Sequence, residues 1–250
     1  MAGQAGALTR EKDQAPWGVL VDTAEIPGGG RLQLYRKGRD FEILLGEQQL
    51  MGSWAVHSEQ ALAERAADHL GHTAVRVLIG GLGMGFTLAA ARTAFAASTA
   101  IVVAELVPQV VAWARGPLAD IVGDSLTDPR VTIEVGDVHD VIVANEATFD
   151  AILLDVDNGP DGLVVLANER LYCAWGLRAA HAALTPRGVL AVWSAYPDDA
   201  FGDRLRTAGF DVDVLTLGSG GHQSDPPHVI WLARKTKVIE GSGLREPRLS

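Results

Sequence analysis

Between Trp17 and Met51 the hydrophobic positions fall in short alternating runs broken by turn residues. The runs are Gly18 to Val21, then Leu32 and Leu34 after Pro27-Gly28-Gly29-Gly30, then Phe41 to Leu45 after Lys37-Gly38. Period-two alternation bounded by Gly and Pro predicts half-buried strands, so this stretch reads as a small β-rich unit. After Ser53 the period lengthens. Ser58, Ala61, Leu62, Arg65, Ala66 and His69 read as a helix that stops at Gly71. Thereafter strands and helices alternate. Val75 to Ile79, Ala100 to Ala104, Val131 to Val135, Ala151 to Leu154 and Val189 to Trp193 are unbroken apolar runs, the pattern of a parallel sheet covered on both faces. Helices are expected over Phe86 to Ala97, Pro108 to Arg115 and Glu169 to Leu184.

The end of this series differs from its beginning. Asp198 to Ala208 reads as a helix, but the strands at Phe210 to Leu217 and Pro227 to Ala233 are joined by a Gly/Ser/His/Pro loop alone, which predicts an antiparallel hairpin. An α/β chain of five βα units closed by such a hairpin has the order of the Rossmann-like class I S-adenosylmethionine-type transferases, whereas a dinucleotide dehydrogenase continues with parallel units. The expected organisation is a flexible N-terminus over 1–16, a small β-rich N-terminal domain over 17–55, a Rossmann-like cofactor domain over 56–235 and a flexible tail over 236–250.

Composition narrows the function. With 250 residues, 48% of them hydrophobic and 21% charged, the chain can bury a large core, which excludes global disorder. The 31 acidic against 21 basic residues give a formal charge of −10, which repels nucleic acid and anionic lipid and favours a small cationic substrate. The lone Cys173 has no intrachain partner and reads as a buried small hydrophobe. No apolar run approaches the ~20 residues of a membrane span, and Met1 to Gln14 lacks an apolar signal core, so a cytoplasmic location is expected.

The candidate chemistry lies at strand ends. Val77 to Ile79 runs into Gly80-Gly81-Leu82-Gly83-Met84-Gly85-Phe86, in which Gly81, Gly83 and Gly85 form G-x-G-x-G and Phe86 stands where a pyrophosphate fingerprint needs a small residue. Twenty residues on, Glu105 ends the next strand, where a carboxylate accepts ribose hydroxyls, and Gly136-Asp137 follows the third. Together these point to an adenosine cofactor; singly, Glu105 also reads as a solvated strand end and Asp137 as a helix cap. Phe149 to Leu154 then delivers Asp155 and Asp157 to the same edge. Alternation breaks at the turn, leaving open which of the two faces the crevice, with Asp155 favoured.

Leu45-Gly46 with Gln49, the glycine loop, Glu105, Gly136-Asp137 and Phe149-Asp150-Ala151-Ile152-Leu153-Leu154-Asp155 resemble the spermidine synthase (polyamine aminopropyltransferase) family over about Phe41 to Arg234. The resemblance implies a β-rich N-terminal unit that serves dimerisation, hence a homodimer. It further implies cofactor contacts from Gln49, Gly81, Gly83, Gly85, Glu105 and Asp137, and a proton-accepting Asp155. Decarboxylated S-adenosylmethionine would be the cofactor and a di- or polyamine the acceptor, with no metal.

The sequence departs from that family at three places. The loop aspartate that holds the aminopropyl ammonium falls at Gly83; the second aspartate falls at Asn158, beside Asp157; and the tyrosine opening the first helix falls at Ser58, beside His57. His57, Ser58, Asp157 and Asn158 are therefore the candidate substrate-binding positions. Loss of the loop carboxylate leaves S-adenosylmethionine-dependent methyl transfer to a small molecule as an alternative, and a catalytically silent nucleoside-binding protein as another. His57, His222 and His228 have no ligand spacing that would make a metal set. Trp54, Trp113, Trp175, Trp193 and Trp231 fall on apolar faces and are expected in the core, with Trp54 near enough to Gln49 and His57 to line an acceptor pocket. The loop over 218–227 reads as a hairpin turn that can cover that pocket.

Overall fold

The structure is a computed structural model that describes residues 17–54, 56–71, 76–156, 159–160, 168–218 and 227–236. Its N-terminal strands, β1 (Val19–Glu25), β2 (Arg31–Lys37), β3 (Asp40–Leu45) and β4 (Gln48–Gly52), form a four-stranded antiparallel sheet in chain order. Gly38 and Gly46 carry positive φ in its two tight turns, a conformation most side chains resist. A bulge interrupts the β3–β4 ladder: Ile43 opposes Met51 while Leu44 opposes Gln49, so Leu50 is the extra residue.

The larger sheet has seven strands: β5 (Arg76–Gly80), β6 (Ala100–Glu105), β7 (Val131–Val135), β8 (Phe149–Leu154), β9 (Leu184–Ser194), β10 (Phe210–Leu217) and β11 (His228–Lys235). Their order is β10-β11-β9-β8-β5-β6-β7; β5 to β9 are mutually parallel and β11 runs antiparallel to both β9 and β10. The closing hairpin expected from the missing helix is thus present. The chain moves outward from β5 to β7 and then returns to β8 on the other side of β5, so the strand order reverses between β5 and β8, where open α/β sheets form a ligand crevice.

Side chains alternate cleanly between two apolar layers. Val77, Ile79, Ile101, Val103, Ala151, Leu153 and Trp193 pack on the face covered by α1 (His57–Leu70), α2 (Phe86–Ala94), α3 (Pro108–Arg115) and α4 (Ala119–Val122). Leu78, Val102, Ile152, Leu154, Leu190 and Trp231 pack beneath α5 (Val138–Val143), α6 (Glu169–Tyr172), α7 (Ala174–Ala183) and α8 (Asp199–Thr207). The first layer continues without a break into Ala24, Ile26, Leu32, Leu34, Phe41 and Ile43 of the N-terminal sheet. A polar tie reinforces the join: Asp22 on β1 accepts hydrogen bonds from Gln109 Nε2 at 2.6 Å and Trp113 Nε1 at 2.8 Å, both on α3.

Several sequence expectations need correction. The single helix over Glu169 to Leu184 is two, because Cys173 adopts an extended conformation (φ −75°, ψ 165°) between α6 and α7, and its side chain is partly exposed rather than buried. Trp113, Trp193 and Trp231 are buried as expected, but Trp175 is 53% exposed, stacked on His139 with ring centroids 4.8 Å apart. Helix α5 bears out the alternative reading of Asp137 as a helix cap, although its Val-His-Asp-Val-Ile-Val run is rich in β-branched residues and shows no helical period of its own. The loop 219–226, the tail 237–250 and the first 16 residues lie outside the described residues.

The crevice depends on a close approach at Gly81. Its φ is +89°, and a Cβ there would come within 2.4 Å of the Asp155 carbonyl oxygen. Gly81→Ala is expected to cost more than about 2 kcal/mol from left-handed strain plus that clash. Gly136→Ala, with nothing within 4 Å of its Cβ position, is expected to stay within about 0.5 kcal/mol. Urea denaturation of the two variants checks the difference.

Candidate active site

The crevice at the carboxyl edge of β5, β6 and β8 contains about 950 Å³ of protein-free space, open solvent at its mouth included. Its floor is built by strand ends and its roof by the N-terminal sheet: Gly81, Gly83, Glu105, Asp137 and Asp155 face it from below, while Ile26, Leu32, Ile43, Leu50 and Met51 close it from above. Most of the remaining wall is aliphatic, including Leu106, Val107, Val110, Val138 and Val156.

Glu105 is 7% exposed and held by backbone donors, with Leu82 N–H donating to Oε2 and Val107 N–H to Oε1, each at 2.8 Å. Burial pushes its carboxyl above the ordinary range, while the amides of Leu82, Val107, Gly83 and Leu106 oppose that shift. The carboxylate also lines the crevice, where ribose hydroxyls can meet it alongside those amides. Asp137 does two jobs: it caps α5 by accepting from His139 N–H at 2.8 Å, and it pairs with Arg170 of α6. Its expected roles as helix cap and crevice residue therefore coexist.

Asp155 settles on the crevice side. Its Oδ2 accepts from Thr87 Oγ1 at 2.6 Å, at the start of α2, and its carboxyl is pushed up by burial to about 6. Facing the same space is a residue for which the sequence reading had no role, Glu59. This carboxylate is 5% exposed, accepts from Ser58 Oγ at 2.7 Å, and is pushed up to about 7 by burial and by the charge of Asp155. A signal was present in the sequence. Glu59 lies three and four residues before Leu62 and Ala63, on the buried face of an amphipathic helix.

The other expected positions divide. Gly81 and Gly83 line the crevice, whereas Gly85 supplies the left-handed turn that opens α2 and does not. Gln49 is exposed and outside the lining, because the β3–β4 bulge gives the crevice Leu50 and Met51 instead. His57 is exposed, Ser58 holds Glu59 rather than facing the cavity, and Trp54, 47% exposed, packs over Gly52 rather than lining it. Asp157 and Asn158 lie outside the described residues. Asn168 and Trp193 line the crevice and were not singled out as site residues. At Gly83, where the resembled family carries a carboxylate, a Cβ would meet Met51 Cε at 2.8 Å and Sδ at 2.9 Å, so the thioether takes the space of the absent side chain.

Adenosine fits this donor and acceptor set. The buried Glu105 carboxyl borders the crevice at the end of β6, the Gly81 backbone carries no side chain there, and the aliphatic walls suit an adenine ring. Among the described residues no group of three or more His, Cys, Asp and Glu side chains is arranged to hold a metal ion. Likewise, none of their helices is long and apolar enough to cross a membrane.

No protein-family model matches the chain. Polyamine aminopropyltransferases of Mycobacterium tuberculosis and Mycobacterium bovis are 29% identical to it over 236 residues, covering 84% of this chain. The chain spans less than half the length of these relatives, 42%. Among solved structures, a spermidine synthase from Thermotoga maritima matches with TM-score 0.71 at 18% identity, covering 86% of this chain and 72% of that one. A spermidine synthase in complex with the transition-state analogue AdoDATO matches with TM-score 0.69 at the same identity and coverages. A Burkholderia thailandensis 1,6-didemethyltoxoflavin-N1-methyltransferase, solved with that compound and S-adenosylhomocysteine, matches with TM-score 0.52 at 22% identity, over 72% of this chain and 79% of that one. The chain thus resembles polyamine aminopropyltransferases in sequence and has the fold shared by spermidine synthases and class I methyltransferases.

Raised carboxyl pKa values set the sign of a pH effect. A folded state that binds protons more tightly than the unfolded chain is stabilised at low pH, and that stability is lost as pH rises through the folded values. With Glu59 moved from 4.5 to about 7 and Asp155 from 3.8 to about 6, the pair's contribution is expected to decline between about pH 4 and 7. Urea denaturation of wild type and Glu59→Gln across pH 5 to 8 checks this: the variant's profile is expected to be flatter, and the variant more stable than wild type at pH 8.

Proposed function

We propose that this protein is a transferase that moves an alkyl group, aminopropyl in the first reading, from decarboxylated S-adenosylmethionine to a small cationic amine, with Asp155 as the proton acceptor. The observation that carries this reading is the shared crevice of Asp155 and Glu105: a Thr87-oriented carboxylate and a nucleoside-type acceptor on adjacent parts of one sheet edge. The sequence likeness to polyamine aminopropyltransferases supports it.

In this mechanism Gly81 and Gly83 let the backbone approach the nucleoside, Glu105 accepts its ribose hydroxyls, and Asp137 borders the base. Bound there, the sulfonium supplies an alkyl carbon whose C–S bond breaks, leaving a neutral thioether, as the amine lone pair forms the C–N bond. The chain's own task is alignment and proton removal. An amine with a pKa near the ~10.4 of lysine is about one part in a thousand neutral at pH 7, so a local base matters. Thr87 fixes one oxygen of Asp155, and the elevated carboxyl pKa makes it a better proton acceptor than an exposed aspartate. Association of two copies through the N-terminal sheet belongs to the same proposal, supported by the exposed Val19, Leu20 and Val21 on its edge strand.

A second reading, methyl transfer from S-adenosylmethionine, is favoured by one observation. Met51 rather than a carboxylate stands against Gly83, so no acidic loop side chain is available there for an aminopropyl ammonium.

Calorimetry with the two nucleosides separates the readings: preferential binding of decarboxylated S-adenosylmethionine supports aminopropyl transfer, and binding of S-adenosylmethionine alone overturns it. Asp155→Asn is expected to keep nucleoside affinity within about tenfold while lowering kcat by roughly 10² to 10⁴. Full turnover in that variant would remove Asp155 from the mechanism.

A further inference from the structure

Four carboxylates line the crevice, and no Lys, Arg or His does so among the described residues. Two of the four have strong internal partners: Glu105 has its backbone amides, and Asp137 has Arg170 and its helix cap. Among the described residues the other two, Glu59 and Asp155, are held by neutral donors alone, the hydroxyls of Ser58 and Thr87 together with Glu59's own backbone amide. Like charges buried against one another without a cation destabilise the fold, so the arrangement is explicable if a cationic ligand completes it.

The sheet indicates where that ligand belongs. Along the carboxyl edge the order β6, β5, β8, β9 brings Glu105, Gly81, Asp155 and Trp193 in succession. The nucleoside-binding features occupy the β5–β6 end, which leaves the β8–β9 end to the acceptor. Glu59 enters from α1, which packs against both β8 and β9, and lies beside Thr87 and Asp155. Trp193 borders the same end, and its buried Nε1 has no hydrogen-bond partner among the described residues.

We propose that Glu59 is an acceptor-binding carboxylate, pairing with Asp155 to cradle the ammonium group of a linear amine at the β8–β9 end of the crevice. This deepens the transferase reading and rests on it. Before transfer Glu59 helps to hold the cation; the single proton that transfer releases is accepted at Asp155, beside the reacting carbon, and can then be shared by the Asp155–Glu59 pair. Asp155 is the charged group that acts on Glu59. Thr87 from α2 and Trp193 from β9 carry no charge, and His228 of β11 packs edge-on against Trp193, ring centroids 5.0 Å apart. Because an ammonium favours both ionised forms, amine binding is expected to expel protons and to weaken as pH falls from 8 to 6.

The test is calorimetry of the full chain with 1,4-diaminobutane and, separately, 5′-methylthioadenosine, for wild type, Glu59→Gln, Glu59→Asp and Leu62→Ala. Glu59→Gln is expected to weaken diamine binding at pH 8 at least tenfold and flatten its pH dependence, with nucleoside affinity within twofold of wild type. Glu59→Asp should recover part of the loss. Leu62→Ala, which thins the same helix face, should lower Tm without that selective loss. Unchanged diamine affinity in Glu59→Gln, an equal loss of both ligands, or no diamine binding by nucleoside-competent wild type would each overturn the proposal. Failure of wild type to bind any nucleoside would instead overturn the transferase reading beneath it.

Discussion

The cost of keeping carboxylate charge out of water governs this crevice. An ionised side chain in an aliphatic cleft must find donors, find a counter-ion or take up a proton. All three solutions appear within one cavity. Glu105 takes backbone amides that the ends of β5 and β6 leave free, Asp137 takes Arg170, and Glu59 and Asp155 rise in pKa. The first two are thereby fixed as geometry, and the last two remain responsive to what enters.

That responsiveness depends on the fold around it. Reversal of strand order between β5 and β8 opens the cleft, and the bare backbone at Gly81 keeps the glycine loop close to the Asp155 carbonyl. The N-terminal sheet then supplies the apolar roof, joined to the main body by a continuous core and by the Asp22 bonds to α3. Without the roof, Glu59 and Asp155 would be hydrated and their pKa values would relax toward those of exposed carboxylates.

Much of this was legible in the sequence, for identifiable reasons. Unbroken apolar runs marked the central strands because both faces are buried, and the absence of a helix before Pro227 marked the hairpin. Glu105, Asp137 and Asp155 were found because strand ends deliver side chains to the crevice by rule. Gln49 was misplaced because a bulge, invisible in alternation, shifts which β4 residues face inward. Glu59 is hidden in the sequence because the apolar positions of α1 mark the helix, although a carboxylate on that same buried face is the more informative residue. Helix α5 is signalled in the sequence by the Asp137 cap alone, because the local β-propensity of Val138 to Val143 opposes it, and the cap wins.

The bulge at Leu50 has a consequence for how this architecture can diversify. It determines which chemistry the roof shows to Gly83, at present the thioether of Met51. Slipping β4 by one residue along β3 would retract that sulfur and put the branched alkyl group of Leu50 or the bare backbone of Gly52 over the loop, with every strand-end carboxylate left in place. Selectivity for the transferred group could thus change through a hairpin that contributes no acid, base or nucleophile of its own.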